Sequence, residues 1–234
     1  MEPVDEVLAR LRACADPSRI AGMARYAISP EGTLGVSMPE LRAIAKELRP
    51  ERKADPAGAH RLALGLWASG LHEARILASL VDVPTLVTPE QADEWVADLD
   101  SWDVCDQLTG NLLDKTPFAY EKAEEWAGAE REFVKRAGFA LMVALATHDK
   151  KAPDEPFAHF LILVEREAPD ERNFVKKAVN WALRDIGKRN GDLRTTAVEV
   201  AVRLRESGSA AARWVASDAL RELSDPRTIA RIRG

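Results

Sequence analysis

Apolar residues recur along this chain at three- and four-residue spacings, and no stretch alternates apolar and polar for long enough to suggest a strand. Around Trp181, at about 100° per residue, Val175, Val179, Ala182 and Ile186 fall in one narrow arc. Lys177, Trp181, Arg184 and Lys188 fall opposite. Val104, Cys105, Leu108 and Leu112 make a second apolar arc. Helix starts are marked by a capping residue followed by proline at Asp16-Pro17, Asp55-Pro56, Thr88-Pro89, Thr116-Pro117 and Asp225-Pro226. Ser37-x-x-Glu40 and Thr88-x-x-Gln91 read as capping boxes. The pattern predicts an all-α chain of roughly a dozen helices, mostly about 10 to 20 residues long. The longest loops are expected at Ser29 to Ser37 and Thr147 to Pro156, neither with the composition of a flexible interdomain linker.

The chain also repeats itself. Phe133-Val134-Lys135-Arg136-Ala137 returns as Phe174-Val175-Lys176-Lys177-Ala178, and Trp181-Ala182-Leu183-Arg184-Asp185 is echoed by Asp218-Ala219-Leu220-Arg221-Glu222. Offsets of roughly 40 residues in a helical chain suggest stacked helix pairs of the HEAT type, a solenoid whose inner helices line a concave surface. The expectation is one such domain over residues 1–234.

Composition narrows the function classes. The 234 residues are 46% hydrophobic and 30% charged, a globular balance. No apolar run reaches the ~20 residues of a membrane helix, and the acidic, amphipathic MEPVDEVLAR start is unlike a secretory signal. Two cysteines, Cys14 and Cys105, make no disulfide framework and suit a reducing cytoplasm, the expected location. His60, His72, His148 and His159 are scattered without metal-ligand spacing, so no metal or cofactor is expected. The net charge of −5 argues against a generically nucleic-acid-coated protein.

The distribution of charge says more. Asp93 to Glu125 carries a net −8, and Arg172 to Arg189 a net +5. A basic helix on an acidic protein could attract phosphates, although a charge run is commonly just a solvated face. Trp181 on the polar face, beside Lys177, Arg184 and Lys188, either contacts a neighbouring helix layer or forms an aromatic wedge next to phosphate contacts. Arg136, at the Lys177 position of the repeat, heads an apolar helix and needs a partner, either a carboxylate or a phosphate. Trp102 and Asp106 stand at i and i+4 on one face. Asp106 is either a cap or ion-pair partner or a carboxylate held against an aromatic, able to stabilise positive charge. Asp103 points elsewhere, toward capping or local pairing, and Cys105 reads as core.

With these residues in place, the chain resembles the DNA alkylation repair family of HEAT-like repeat glycosylases, the bacterial AlkD-like proteins. The resemblance runs through Gly35-Val36-Ser37 to Leu41-Arg42, Leu66-Trp67, Glu73-Ala74-Arg75, Ser101-Trp102-Asp103 with Asp106, Phe133 to Ala137, and most specifically Phe174 through Lys188. It departs at Ser101, where the founding branch usually carries a second tryptophan. The resemblance implies an all-α HEAT-like solenoid whose concave groove holds duplex DNA containing alkylated bases, and excision of N3- and N7-alkylated purines without swinging the base into a deep pocket. It implies that Asp106 is the essential carboxylate, that Trp102 and Trp181 contact the deoxyribose of the lesion, and that Arg136 holds the backbone nearby. Lys177, Arg184 and Lys188 complete the expected DNA-binding set.

Such chemistry needs few groups. A purine alkylated at N3 or N7 is already cationic, so its glycosidic bond breaks without a general acid; what remains is to stabilise an oxocarbenium-like sugar and position water. Three readings follow: an alkylpurine DNA glycosylase, a noncatalytic binder of DNA structures on the same scaffold, and a HEAT-type protein scaffold anchored by Trp181. No membrane and no obligate protein partner is implied.

Overall fold

The computed structural model describes residues 1–232, and among these every regular element is helical. Seven helices precede residue 118: α1 (Val4–Ala13), α2 (Pro17–Ala24), α3 (Met38–Ala54), α4 (Pro56–Ala68), α5 (His72–Val81), α6 (Pro89–Ala97) and α7 (Trp102–Asn111), followed by a 3-10 turn at Leu113–Lys115. Seven come after: α8 (Ala119–Ala127), α9 (Glu132–His148), α10 (Glu155–Glu167), α11 (Asn173–Gly187), α12 (Gly191–Arg205), α13 (Ala210–Leu223) and α14 (Pro226–Ile229). The chain forms two compact units, dividing between Pro117 and Phe118.

Side-chain caps mark half of the α-helix starts among the described residues. Asp16, Asp55, Thr88 and Asp225 each accept a backbone N–H of the first turn, with proline at the start of the helix behind them. Ser37 and Glu40 form a reciprocal capping box. Two sequence expectations need correction. Thr116-Pro117 does not open a helix: α8 starts at Ala119 behind Phe118. The Thr116 hydroxyl instead donates to the Leu113 carbonyl at 2.7 Å, closing the 3-10 turn. The Thr88 box is only half made. Gln91 N–H donates to Thr88 Oγ1, but its side-chain amide donates to Asp82 Oδ2 at 3.0 Å. Buried Asp82 also takes the Val83 N–H at 2.7 Å and lies 2.8 Å from His60 Nδ1; burial raises its pKa, so these donors are in demand.

In the first unit α5 is central, packed on α3, α4 and α7. Trp67 of α4 stacks on Trp95 of α6 with centroids 4.2 Å apart, and the Arg75 guanidinium lies 5.2 Å from the Trp67 centroid. The loop 25–37 is rigidly fastened. The buried Glu73 carboxylate accepts the N–H groups of Leu34, Gly35 and Val36 at 2.9, 2.7 and 3.2 Å, and the His72 N–H donates to Gly32 O at 2.9 Å. Gly35 has φ +79°, and a Cβ there would sit 2.1 Å from the Asp16 carbonyl oxygen, so only glycine fits.

In the second unit α9 packs on α8 and α11, α11 on α10, α12 and α13, and α13 on α12, which is pairwise stacking at the period of the sequence echoes. The two Phe-Val-Lys repeats lie side by side, with Phe133 and Phe174 centroids 5.4 Å apart. Residues Ala137 to Ala146 of α9 are buried all round. Gly138 permits the close approach of α8, because a Cβ would meet the Ala127 nitrogen at 2.4 Å. The later loop shrinks to residues 149–154. Arg189 clamps it by donating to the carbonyls of Ala146, Asp149 and Ala152 at 3.1, 2.7 and 2.8 Å, with Phe157 beneath the guanidinium.

Candidate nucleic-acid interface

Val104, Cys105 and Leu108 bury one side of α7, with Leu112 continuing the arc just beyond its end, and this leaves Trp102 and Asp106 half-buried. Trp102 is the first residue of the helix, and its indole N–H donates to the Tyr26 carbonyl at 2.8 Å. The ring is thus fixed against the fastened loop, while the Tyr26 side chain is itself 71% exposed. Asp106 follows one turn later. Cys105 is fully buried, as its place in the arc predicts.

Asp103 does more than pair locally. Ser101 Oγ donates to one of its oxygens, and His72 Nε2 lies 2.9 Å from the other. Burial alone would raise the Asp103 pKa, but the bonds from His72 and Ser101 outweigh it and hold the pKa below the ordinary value. For His72, burial pulls the pKa down, and Asp103, with Glu73 and Asp100, pushes it up to a net rise. His72 therefore bridges the loop, through its backbone N–H, to the first turn of α7, through its ring. No sequence signal marks this bridge, since His72 and Asp103 are 31 residues apart and fit no motif.

The second unit holds the remaining sequence-predicted residues. Arg136 is only 5% exposed, and its Nη1 donates to the Phe174 carbonyl at 2.9 Å, joining α9 to the first turn of α11. The neighbouring Lys135 pairs with Glu167 at 2.6 Å and Asp170 at 3.4 Å. On α11, Val175, Val179, Ala182 and Ile186 are fully buried and Trp181 is half-buried.

The basic stripe opposite them is less open than its sequence suggests. Arg184 pairs with Glu222 and lies 3.6 Å from Asp218, both on α13. Lys188 pairs with Asp185 at 2.5 Å and with Glu222 at 2.8 Å; burial opposes its charge, yet those two acids hold its pKa above the ordinary value. Arg172 pairs with Asp170. Lys177 is exposed and makes no ion pair among the described residues. Helix periodicity finds the stripe, but partners 34 and 38 residues away come from the stacking of α11 on α13.

A family model described as "DNA alkylation repair enzyme" matches residues 7–223. A solved structure described as "a new family of proteins related to the HEAT-like repeat DNA glycosylases with affinity for branched DNA structures" is similar over 94% of this chain and 95% of that one. It has a TM-score of 0.74 and 19% sequence identity. No curated protein matches the chain. The fold is that of the HEAT-like repeat glycosylase relatives.

Proposed function

The chain belongs to the family of DNA alkylation repair enzymes, and on that premise we propose that it is a DNA glycosylase that hydrolyses the N-glycosidic bond of cationic N3- and N7-alkylpurines in duplex DNA. One observation carries the reading: Trp102 and Asp106 share one face of α7, with the indole locked by its N–H to the Tyr26 carbonyl and the carboxylate one turn on. A fixed indole face and a carboxylate are what an oxocarbenium-like sugar needs, because both stabilise positive charge as it develops. The leaving base is already cationic and departs neutral. Asp106 then orients the water that adds to C1′ and accepts the proton that this water loses.

In the second unit Trp181 is assigned to the sugar of the lesion and Lys177 to phosphate. Arg136 exposes too little of its guanidinium for a broad grip on the backbone. Its stronger contribution is to set the start of α11, through Phe174, and so the position of both residues. Arg184 and Lys188 can reach phosphates only by sharing or exchanging Glu222. The test is incubation with methylated duplex DNA, scored for released base, for the wild type and for Asp106→Asn.

The second reading is a noncatalytic binder of DNA structures. It is favoured by the description of the similar structure as having affinity for branched DNA. It predicts retention of junction DNA with no base release by either protein.

A further inference from the structure

One exposed indole in the second unit stands against a lysine, with a further cation next in sequence on each of the two helices, and of these residues only Lys177 has been given a role above. Trp214, in the second turn of α13, is 42% exposed. Lys176 Nζ lies 5.1 Å from its ring centroid, Lys177 is exposed next in sequence on α11, and Arg213 is exposed on α13. Arg213 Nη1 donates to the Ser207 and Gly208 carbonyls at 2.8 and 2.9 Å, which holds the side chain in place and leaves Nε and Nη2 without a protein partner among the described residues.

The contrast with the rest of the same helix pair is informative. One turn and more toward the helix ends, Arg184 and Lys188 are neutralised by Asp218 and Glu222. At the helix starts no acid pairs with Lys176, Lys177 or Arg213 among the described residues. The positive ends of two helix dipoles lie there as well. An indole exposed among uncompensated cations matches a sugar-phosphate strand with a base or sugar face to cover the ring.

Its position relative to Trp181 is fixed by the register. Lys176 to Trp214, Asn180 to Asp218 and Arg184 to Glu222 each span 38 residues, so α11 and α13 run parallel. Trp214 therefore stands just over one turn nearer the helix starts than Trp181, and one helix across. With five residues at about 1.5 Å each and about 8–10 Å between axes, that is about 11–13 Å. A DNA strand advances at least about 3.4 Å per nucleotide, so the separation is at most about three to four nucleotides.

We propose that Trp214, Lys176, Lys177 and Arg213 form an accessory DNA-strand surface that grips the flank within about four nucleotides of the one addressed by Trp181. The proposal rests on the DNA-binding part of the reading above. The test uses the full chain and two sets of lesion-bearing duplexes, one ending just beyond the lesion and one extended on that side. Wild type should bind the extended duplex more tightly. Trp214→Ala should lose about fivefold or more of that affinity while matching wild type on the short duplex, and Trp214→Phe should keep most of it. Arg213→Ala, at an exposed position that does not threaten folding, should flatten the salt dependence by about one unit on the extended duplex only. Equal affinity of wild type and Arg213→Ala on both duplexes overturns the proposal. So does an equal loss on both, or an Arg213→Ala defect confined to an acidic peptide probe. Base release by wild type is scored separately: its absence sinks the glycosylase reading and leaves the flank comparison intact.

Discussion

Asp106 lies one turn from the Trp102 indole, on the same side of a helix whose other face is buried. That placement makes Asp106→Asn informative: the amide keeps the size and removes the charge. Base release should fall by two orders of magnitude or more, as when a single preorganised electrostatic group is lost, while DNA affinity stays within about threefold. Full activity in the variant, measured in single turnover, would remove Asp106 from the mechanism. His72 supports the same helix from behind, and its contribution depends on pH. Its pKa is raised in the fold, so the stabilisation it gives is complete below its unfolded value of about 6.5 and is lost as pH rises through the folded value. Asp103 is lowered, so its share is present above about 3.9 and is lost as pH falls through its folded value. The pair thus stabilises most between those limits. His72→Gln should cost about 1–3 kcal/mol near pH 5.5, about what a hydrogen bond to a charged group contributes. The gap between the melting curves should narrow as pH rises through the folded value of His72. A gap that does not vary with pH would mean that His72 never carries its charge in the fold.

At the scale of elements, what could be read from sequence was what each helix does by itself. The buried arcs of α7 and α11 follow from spacing alone, and so do the caps at Asp16, Asp55, Thr88 and Asp225, because both depend on neighbours within a turn or two. The 41-residue echo is realised as Phe133 against Phe174. What spacing could not supply were the partners across helices: Glu73 for the loop at Leu34 to Val36, His72 for Asp103, and Glu222 for Arg184 and Lys188. Gln91 fails as a capping-box partner for the same reason, since buried Asp82 outbids the helix end. These partners change one expectation about binding. Lys177 should act as a full phosphate contact, and Lys177→Ala should flatten the plot of log affinity against log salt by about one unit. Arg184→Ala should flatten it less, because Glu222 already compensates that charge and is released when the arginine goes. Equal slopes for the two variants would mean that DNA displaces Glu222 and opens the whole stripe.

For the molecule as a whole, a net charge of −5 limits how much of its affinity can come from indiscriminate attraction to phosphate, and shifts discrimination onto the charge of the lesion. On the glycosylase reading proposed above, the groups assigned to the lesion address a cation in the sugar. The one hydrogen-bond donor that Trp102 owns is already given to Tyr26, so it cannot protonate or hold a departing base. An enzyme so equipped should release bases that leave without help. N7- and N3-alkylpurines carry their charge already and depart neutral. Uracil and hypoxanthine must depart as anions unless something donates to them. Alkyl bulk should matter less than charge, because the groups assigned to the lesion act on the sugar and not on the base edge. Duplexes carrying methylated, bulky-alkylated and deaminated bases, compared in single turnover, separate these cases: comparable rates for the first two and background rates for the last are expected. Efficient release of uracil or hypoxanthine would demand a base-reading donor that none of the assigned residues provides, and the mechanism built on Asp106 and the two indoles would have to be abandoned.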